Sequence, residues 1–170
     1  MSNFNQRVAD WNEARFDREY SNEQTVRLLR EEWQEYLDAE TDVDQLDALC
    51  DVIYVCEGAK WKLHYEGDFV GRAISNNVDS AVFLAADGIE LLAEAVVPPA
   101  ECLEYIVVVI YTEMLKMLKS HAACISALIV VCDSNDSKVV KKIATEAKAG
   151  KGDSFIAPEP RLRELLESVQ

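Results

Sequence analysis

The hydrophobic and polar positions of this chain repeat with the period of an α-helix over most of its length. Ser21, followed three residues later by Gln24, has the form of an N-terminal capping box. Pro98, Pro99 and Ser120 are residues typical of helix starts. The predicted helices span about 22–39, 44–64, 78–95, 100–118, 120–132 and 161–169. No strand alternation persists, and we therefore expect an all-α fold.

Residues 133–160 interrupt the helical pattern, and we expect them to form a loop. Two glycines and two prolines in this stretch disfavour regular structure. The stretch is also basic, because five of the 17 lysines and arginines fall within 14 positions: Lys138, Lys141, Lys142, Lys148 and Lys151. With 170 residues, the whole chain (1–170) is predicted to form a single domain.

Composition excludes several classes of function. Hydrophobic residues make up 49% of the chain and charged residues 28%, as in globular proteins with a full core. A net charge of −14 repels phosphate backbones, so we expect no nucleic-acid partner. The longest apolar runs are far below the ~18 residues of a membrane span, and the first residues lack the apolar core of a signal peptide. We therefore expect no membrane partner and a cytoplasmic protein whose five cysteines are buried and reduced.

Two neighbouring predicted helices carry carboxylates on faces that should be buried. Projection at about 100° per residue puts Glu32 inside the apolar stripe of the earlier helix, with Glu35 about 60° away. On the next helix, Asp51 is the single charged residue in a nine-residue apolar stretch. Asp47 precedes it by about one turn and Asp44 lies about one turn before Asp47, all on the same face. We expect Asp51 to be buried, because a helix that is apolar on all sides lies in a core.

Carboxylates that converge in a core need a compensating charge. A buried, unpaired carboxylate costs several kcal/mol, and the basic residues of the first of these helices face solvent. Ligands that are all oxygen favour Mg²⁺ or Mn²⁺. A di-iron bundle is disfavoured, because neither His64 nor His121 has a Glu three residues before it. The simpler alternative is that most of these carboxylates are solvated charges and that Asp51 is one satisfied buried polar group.

Three motifs in the chain also carry a family resemblance. They are Glu31-Glu32-Trp33-Gln34-Glu35, Asp47-Ala48-Leu49-Cys50-Asp51, and a tail with Ser134-Asn135-Asp136-Ser137-Lys138, Gly150-Lys151-Gly152 and Pro158. The first two resemble the EExxE and ExxD motifs of the all-α nucleoside triphosphate pyrophosphohydrolases, which include MazG, dimeric dUTPases, dCTP pyrophosphatases and phosphoribosyl-ATP pyrophosphohydrolase. The tail is similar to the SNxSK … GKxxxxP ending of phage-type members. The matches cover about 8–63 and about 132–160, so most of 68–120 is interpreted as a helical insertion.

The resemblance implies a MazG-like bundle that hydrolyses a (d)NTP to the monophosphate and pyrophosphate, with two or more Mg²⁺ or Mn²⁺ ions. The metal ligands that it implies are Glu32, Glu35, Asp47 and Asp51. Glu31 is the candidate for orienting or deprotonating the attacking water. Asn135 and Lys138 are the candidates for binding the substrate's phosphates. The family's ExxD motif would place a carboxylate at position 48, where this chain has Ala48, so Asp44 stays an alternative to Asp47.

Further expectations concern the base, the assembly and competing functions. Four aromatic side chains are candidates for stacking on a base, or are simply part of the core: Trp11, Trp33, Tyr54 and Trp61. The apolar helices at about 101–118 and 121–132, together with the resemblance, predict a homodimer or homotetramer. A phage-encoded protein of this kind would act in the host cytoplasm, in nucleotide-pool control or precursor supply. The competing hypotheses are a non-catalytic oligomeric helical metal-binding or interaction protein, and phosphoribosyl-ATP hydrolysis.

Overall fold

A computed structural model of the protein describes residues 4–65, 81–143, 146–150 and 152–169. The elements within these ranges are α1 (Phe4–Glu13), α2 (Asn22–Asp38), α3 (Asp42–Lys62), α4 (Ala81–Glu94), α5 (Pro99–Leu118), α6 (His121–Ser137), β1 (Val139–Ile143), β2 (Glu146–Gly150) and α7 (Glu159–Glu167). Helices account for most of the described chain, which confirms the all-α prediction. Residues 78–80 of the third predicted helix lie outside the described residues.

The helix starts predicted from capping residues are confirmed. The Ser21 hydroxyl accepts a hydrogen bond from the backbone N–H of Gln24 at 3.3 Å, ahead of α2. The Ser120 hydroxyl accepts one from the backbone N–H of Ala123 at 3.4 Å, ahead of α6. Pro99 is the first residue of α5, where its missing N–H costs no helical hydrogen bond.

Helix α1 has no counterpart among the predicted helices. Its buried side chains, Phe4, Val8 and Trp11, are nevertheless spaced as one face of a helix. The Trp11 indole N–H donates to the backbone carbonyl of Asn135 at 3.0 Å, which ties α1 to the end of α6. An ion pair between Arg7 and Asp133 at 3.0 Å joins the same two helices.

Helices α2 and α3 form the centre of the bundle. The short connection at 39–41 turns the chain so that α3 packs against α2. The apolar stretch of α3 is buried on nearly all sides, as expected, with Leu49, Ile53 and Cys56 fully inaccessible. The prediction that Asp51 is buried is wrong, because its side chain is only partly buried. The reason is that Asp51 borders a cavity.

The helices α4 and α5 fall in the segment interpreted as an insertion, whose first part lies outside the described residues. They pack tightly against each other, and a Cβ atom at Gly88 would lie 2.8 Å from Ile106 Cγ1, so glycine is needed for this approach. Tyr111 and Met114 of α5 are fully buried and belong to the same core cluster as α3. The α4–α5 pair is therefore an integral part of the hydrophobic core.

The prediction of a loop over 133–160 is wrong for much of that range. Helix α6 continues to Ser137, and β1 and β2 then pair antiparallel from Val139↔Gly150 to Ile143↔Glu146. The β-branched residues of the Val139–Ile143 run favour a strand, but its two valines are followed by two lysines, so the run shows no alternation of apolar and polar residues. Three of the five tail lysines lie on these strands, whereas Lys151 lies outside the described residues.

All five cysteines are buried and unbonded to one another, as expected. No single helix in the described ranges has both the length and the hydropathy to cross a bilayer. Helices α5 and α6 meet that criterion only together, as a pair bent by 111°, and much of the apolar surface of both is packed into the core.

Candidate functional site

The four carboxylates predicted to bind metal line one cavity of about 230 Å³. Its lining residues include Glu32 and Glu35 of α2, Asp47 and Asp51 of α3, and Lys138 at the end of α6. The fold thus brings together, as the helical projection of both acidic helices predicts, residues that lie up to 19 positions apart. Lys138, predicted from the tail motif, joins them from a different part of the chain.

The electrostatics of this cavity favour protons or cations. The pKa of Glu32 is raised to about 8, chiefly by burial and then by the negative charges of Asp51 and Glu35, against the opposing charge of Lys138. Burial likewise raises the pKa of Asp47 to about 7, with Asp51 as the next cause. A divalent cation would take the place of these protons and relieve the repulsion between the carboxylates.

Whether the residues fit a metal ion depends on their donor atoms. One oxygen of the Asp47 carboxylate is buried and has no hydrogen-bond partner among the described residues. An oxygen-only set with an unsatisfied carboxylate is suited to Mg²⁺ or Mn²⁺. In the described ranges, no three acidic, His or Cys side chains are close enough together to hold an ion as they stand. The donor chemistry therefore fits such an ion, and its binding would require these side chains to move inwards.

Two other predicted carboxylates, Asp44 and Glu31, lie outside this cavity. The carboxylate of Asp44 accepts a hydrogen bond from the Thr41 hydroxyl at 2.7 Å, at the start of α3, and is exposed. Of the two candidates for the fourth ligand, only Asp47 therefore lines the cavity. Glu31 is exposed and accepts a hydrogen bond from Arg27 at 3.0 Å. Ala48 is 4% exposed and belongs to the buried residues of α3.

A second, larger cavity of about 320 Å³ adjoins the acidic one. The two share Glu32, Asp51 and Lys138 as lining residues. The larger cavity extends along α3 from Asp51 to Lys62, which is about 16 Å at a rise of about 1.5 Å per residue. A ligand that occupied both cavities would have one end among the carboxylates and the other end further along α3, towards Lys62.

Aromatic rings form part of the wall of this larger cavity. Trp11 and Tyr54, both predicted as candidates, line it together with Phe16, which the sequence analysis missed. The ring centroids of Trp11 and Phe16 are 5.3 Å apart, and those of Trp11 and Tyr54 are 5.8 Å apart. The other two candidates do not line either cavity, since Trp33 stacks on Tyr36 and Trp61 lies beneath the Arg18 guanidinium. The rings thus offer an apolar wall next to the acidic cavity.

Two asparagines give this cavity polar groups. Asn135, predicted from the tail motif, is buried and lines the larger cavity, away from the carboxylates of Glu35 and Asp47. Asn12, which the sequence analysis missed, is also buried and donates from its amide to the Val8 carbonyl at 2.8 Å. A Cβ atom at Gly58 would lie 3.2 Å from the Asn12 amide nitrogen, so glycine permits this close approach.

The sequence analysis also missed a fifth carboxylate. Glu159, the first residue of α7, lines the acidic cavity, and its charge contributes to raising the pKa of Asp47. The signal was present in the sequence, because Glu159, Leu162 and Leu166 are spaced as one face of a helix and both leucines are buried. An acid in line with an apolar stripe is the same pattern that singled out Glu32.

Comparisons of the chain with protein-family profiles, with curated proteins and with solved structures found no match.

Proposed function

We propose that this protein is a metal-dependent nucleoside triphosphate pyrophosphohydrolase, which cleaves a (d)NTP to the monophosphate and pyrophosphate. The observation that carries the proposal is the junction of the two cavities. A cavity lined by carboxylates, suited to divalent cations, adjoins a larger one with aromatic walls and shares three lining residues with it. A nucleoside triphosphate has the same division, with an anionic chain that binds metal at one end and a flat aromatic base at the other.

The proposed metal ligands are Glu32, Glu35, Asp47 and Asp51. Two or more Mg²⁺ or Mn²⁺ ions bound there would neutralise the phosphates and lower the pKa of a bound water, so that it can attack phosphorus. Without such ions, the acidic cavity would repel the triphosphate. The chain's own residues hold the ions and set the position of the phosphates relative to them.

Lys138 and Asn135 are the proposed phosphate-binding residues. Lys138 lines both cavities and stands at their junction, where its ammonium group can face an oxygen of the triphosphate. Glu31 stays a prediction as the residue that orients the water. In its favour, it lines the larger cavity beside Glu32, and its charge adds to the causes that raise the pKa of Glu32. Its pairing with Arg27 would have to open first.

The nucleoside is proposed to lie in the larger cavity. Trp11, Phe16 and Tyr54 offer ring surfaces to a base, and such contacts between rings contribute about 0.5–1.5 kcal/mol beyond buried area. Asn12 offers an amide at the same wall.

The proposed activity is tested by measuring pyrophosphate release from a panel of dNTPs, NTPs and phosphoribosyl-ATP with Mg²⁺ or Mn²⁺. We expect release from at least one nucleoside triphosphate, dependent on the metal and abolished by EDTA. Turnover of phosphoribosyl-ATP alone would support the competing biosynthetic reaction. Binding of Mn²⁺ without turnover of any substrate would support the competing non-catalytic, metal-binding protein.

We further propose that the protein forms a homodimer or homotetramer. A groove between α6 and α7 is lined by Ile125, Ile129 and Leu165, which are only partly buried within one chain. Sedimentation at micromolar concentration is expected to show a species of at least twice the 19.1 kDa chain mass. A single species at the mass of one chain would contradict the proposal.

A further inference from the structure

Two buried carboxylate oxygens border the acidic cavity from opposite parts of the chain. One oxygen of Asp47 and one oxygen of Glu159 are both inaccessible, and neither has a hydrogen-bond partner among the described residues. Both residues line the same cavity. Leaving a buried acceptor unsatisfied costs free energy. Two such acceptors at one cavity therefore indicate that a proton or a cation binds there.

Helix α7 holds Glu159 firmly in this position. Leu162 and Leu166, on the same face, are buried in the core. Arg161 pairs with Asp133 of α6. The segment before α7 is also anchored, because the backbone N–H of Ile156 donates to the Ser137 hydroxyl at 2.8 Å. The position of Glu159 is therefore determined by packing and is not that of an exposed side chain on a loose terminus.

The charges around Asp47 strengthen the case for a cation. Asp51, Glu159 and Glu35 each add negative charge, and Lys138 is the one cationic residue that lines this cavity in the described part of the chain. One ammonium group cannot balance this many carboxylates. A divalent ion between α3 and α7 would satisfy both orphaned oxygens and offset the excess charge.

We propose that Glu159 is a ligand of the divalent-cation site and shares an ion with Asp47. This inference depends on the metal dependence of the proposed function. It adds a ligand from a third helix to those supplied by α2 and α3. It has a structural consequence, because an ion held jointly by Asp47 and Glu159 fastens α7 to α3 and so stabilises the docked form of the C-terminal helix.

The test is Mn²⁺ binding, measured by calorimetry and by electron paramagnetic resonance, for wild type, Glu159→Gln and Glu164→Gln. Glu164 is an exposed residue of the same helix and serves as the matched control. Glu159→Gln is expected to lose one bound ion per chain, or to weaken one ion by about tenfold or more, whereas Glu164→Gln binds as wild type does. Mg²⁺ is expected to slow amide hydrogen exchange in α7 of wild type and of Glu164→Gln, but not of Glu159→Gln.

The other role open to Glu159 is to stabilise the positive N-terminal end of α7 by its charge. In that case Glu159→Gln would melt at a lower temperature without metal and would bind Mn²⁺ with unchanged stoichiometry and affinity, which would overturn the proposal. Absence of Mn²⁺ binding by wild type would overturn both this inference and the metal dependence of the proposed function. Binding by wild type that is unchanged in Glu159→Gln would remove only the role of Glu159.

Discussion

Asp51→Asn is expected to reduce pyrophosphate release by at least about a hundredfold while leaving the fold intact. Metal ions contribute several kcal/mol to such reactions, and each 1.36 kcal/mol of barrier is about tenfold in rate. Asp51 lines both cavities and adds to the raised pKa of both Glu32 and Asp47. Its loss should therefore weaken metal binding at the centre of the cluster.

The stability of Asp51→Asn should change in the opposite direction from that of an ordinary buried polar residue. The amide is nearly isosteric and removes one of several crowded negative charges. Without metal, the variant is expected to melt at the same temperature as wild type or higher. Wild type should be stabilised by millimolar Mn²⁺ or Mg²⁺ through preferential binding to the folded state, whereas the variant should lose most of that gain.

Asp44→Asn is the matched control for this experiment. It makes the same change on the same helix, but Asp44 is exposed and lines neither cavity. We expect it to keep its turnover and its stabilisation by metal, with at most a small loss of stability from the weakened contact with Thr41. Near-normal turnover of Asp51→Asn, combined with a lower melting temperature, would show that Asp51 is instead a structural hydrogen-bonding group.

Helical periodicity was sufficient to predict the acidic face of the bundle. Glu32 and Asp51 were singled out because each interrupts an apolar stripe, and local spacing alone decides that property. The choice between Asp44 and Asp47 could not be made this way, since both lie on the same face of α3. It depends on where α2 and α7 pack along α3, and therefore on tertiary structure.

Which aromatic rings line the larger cavity also depends on tertiary structure and could not be predicted from local spacing. Trp11, Trp33, Tyr54 and Trp61 all have positions on helices, and each is at least partly buried. Only the packing of α1 against α3 and α6 makes Trp11 and Tyr54 line a cavity while Trp33 stacks within the bundle. Glu159 likewise reaches the acidic cavity through contacts between residues more than a hundred positions apart.

A buried ion cluster outside the two cavities was not predicted at all. In the sequence, Glu57 and Lys60 have the spacing of an ordinary surface pair on a helix. In the structure, both are buried, and the Lys60 ammonium donates to Glu57 at 2.7 Å and to Glu104 of α5 at 2.6 Å. The partner on α5 is 44 residues away, so local spacing carried no information about it.

Lys60 holds this cluster together electrostatically. Burial raises the pKa of Glu57 to about 7, although the Lys60 ammonium opposes that shift. Burial alone would lower the pKa of Lys60, but the charge of Glu57 and the hydrogen bonds that the ammonium donates to both carboxylates raise it instead. One cation thus serves two carboxyl groups, and Glu57 retains a proton more readily than an exposed glutamate does.

Lys60→Met is therefore expected to destabilise the protein by about 3–5 kcal/mol at pH 8, which is typical when one partner of a buried ion pair is removed. For a chain of this size, each kcal/mol lowers the melting temperature by about 2–4 °C. Urea unfolding and thermal melts measure the loss. As the control for an exposed pair with the same spacing, Lys116→Met removes the partner of Glu113 and should cost no more than about 1 kcal/mol.

The pH dependence of Lys60→Met tests the cause of that loss. The folded-state pKa of Glu57 is already raised, and without the ammonium group it should rise further. A carboxyl group of this kind stabilises the fold below its unfolded pKa, near 4.3, and that contribution is lost as the pH rises through the folded value. The defect should therefore be small near pH 4.5 and largest above pH 7.

Adding Glu57→Gln and Glu104→Gln to Lys60→Met removes both uncompensated charges and should restore most of the stability at pH 8. A loss independent of pH, and not repaired by the two glutamines, would mean that the packing of the Lys60 side chain, and not its charge, stabilises the contact between α3 and α5.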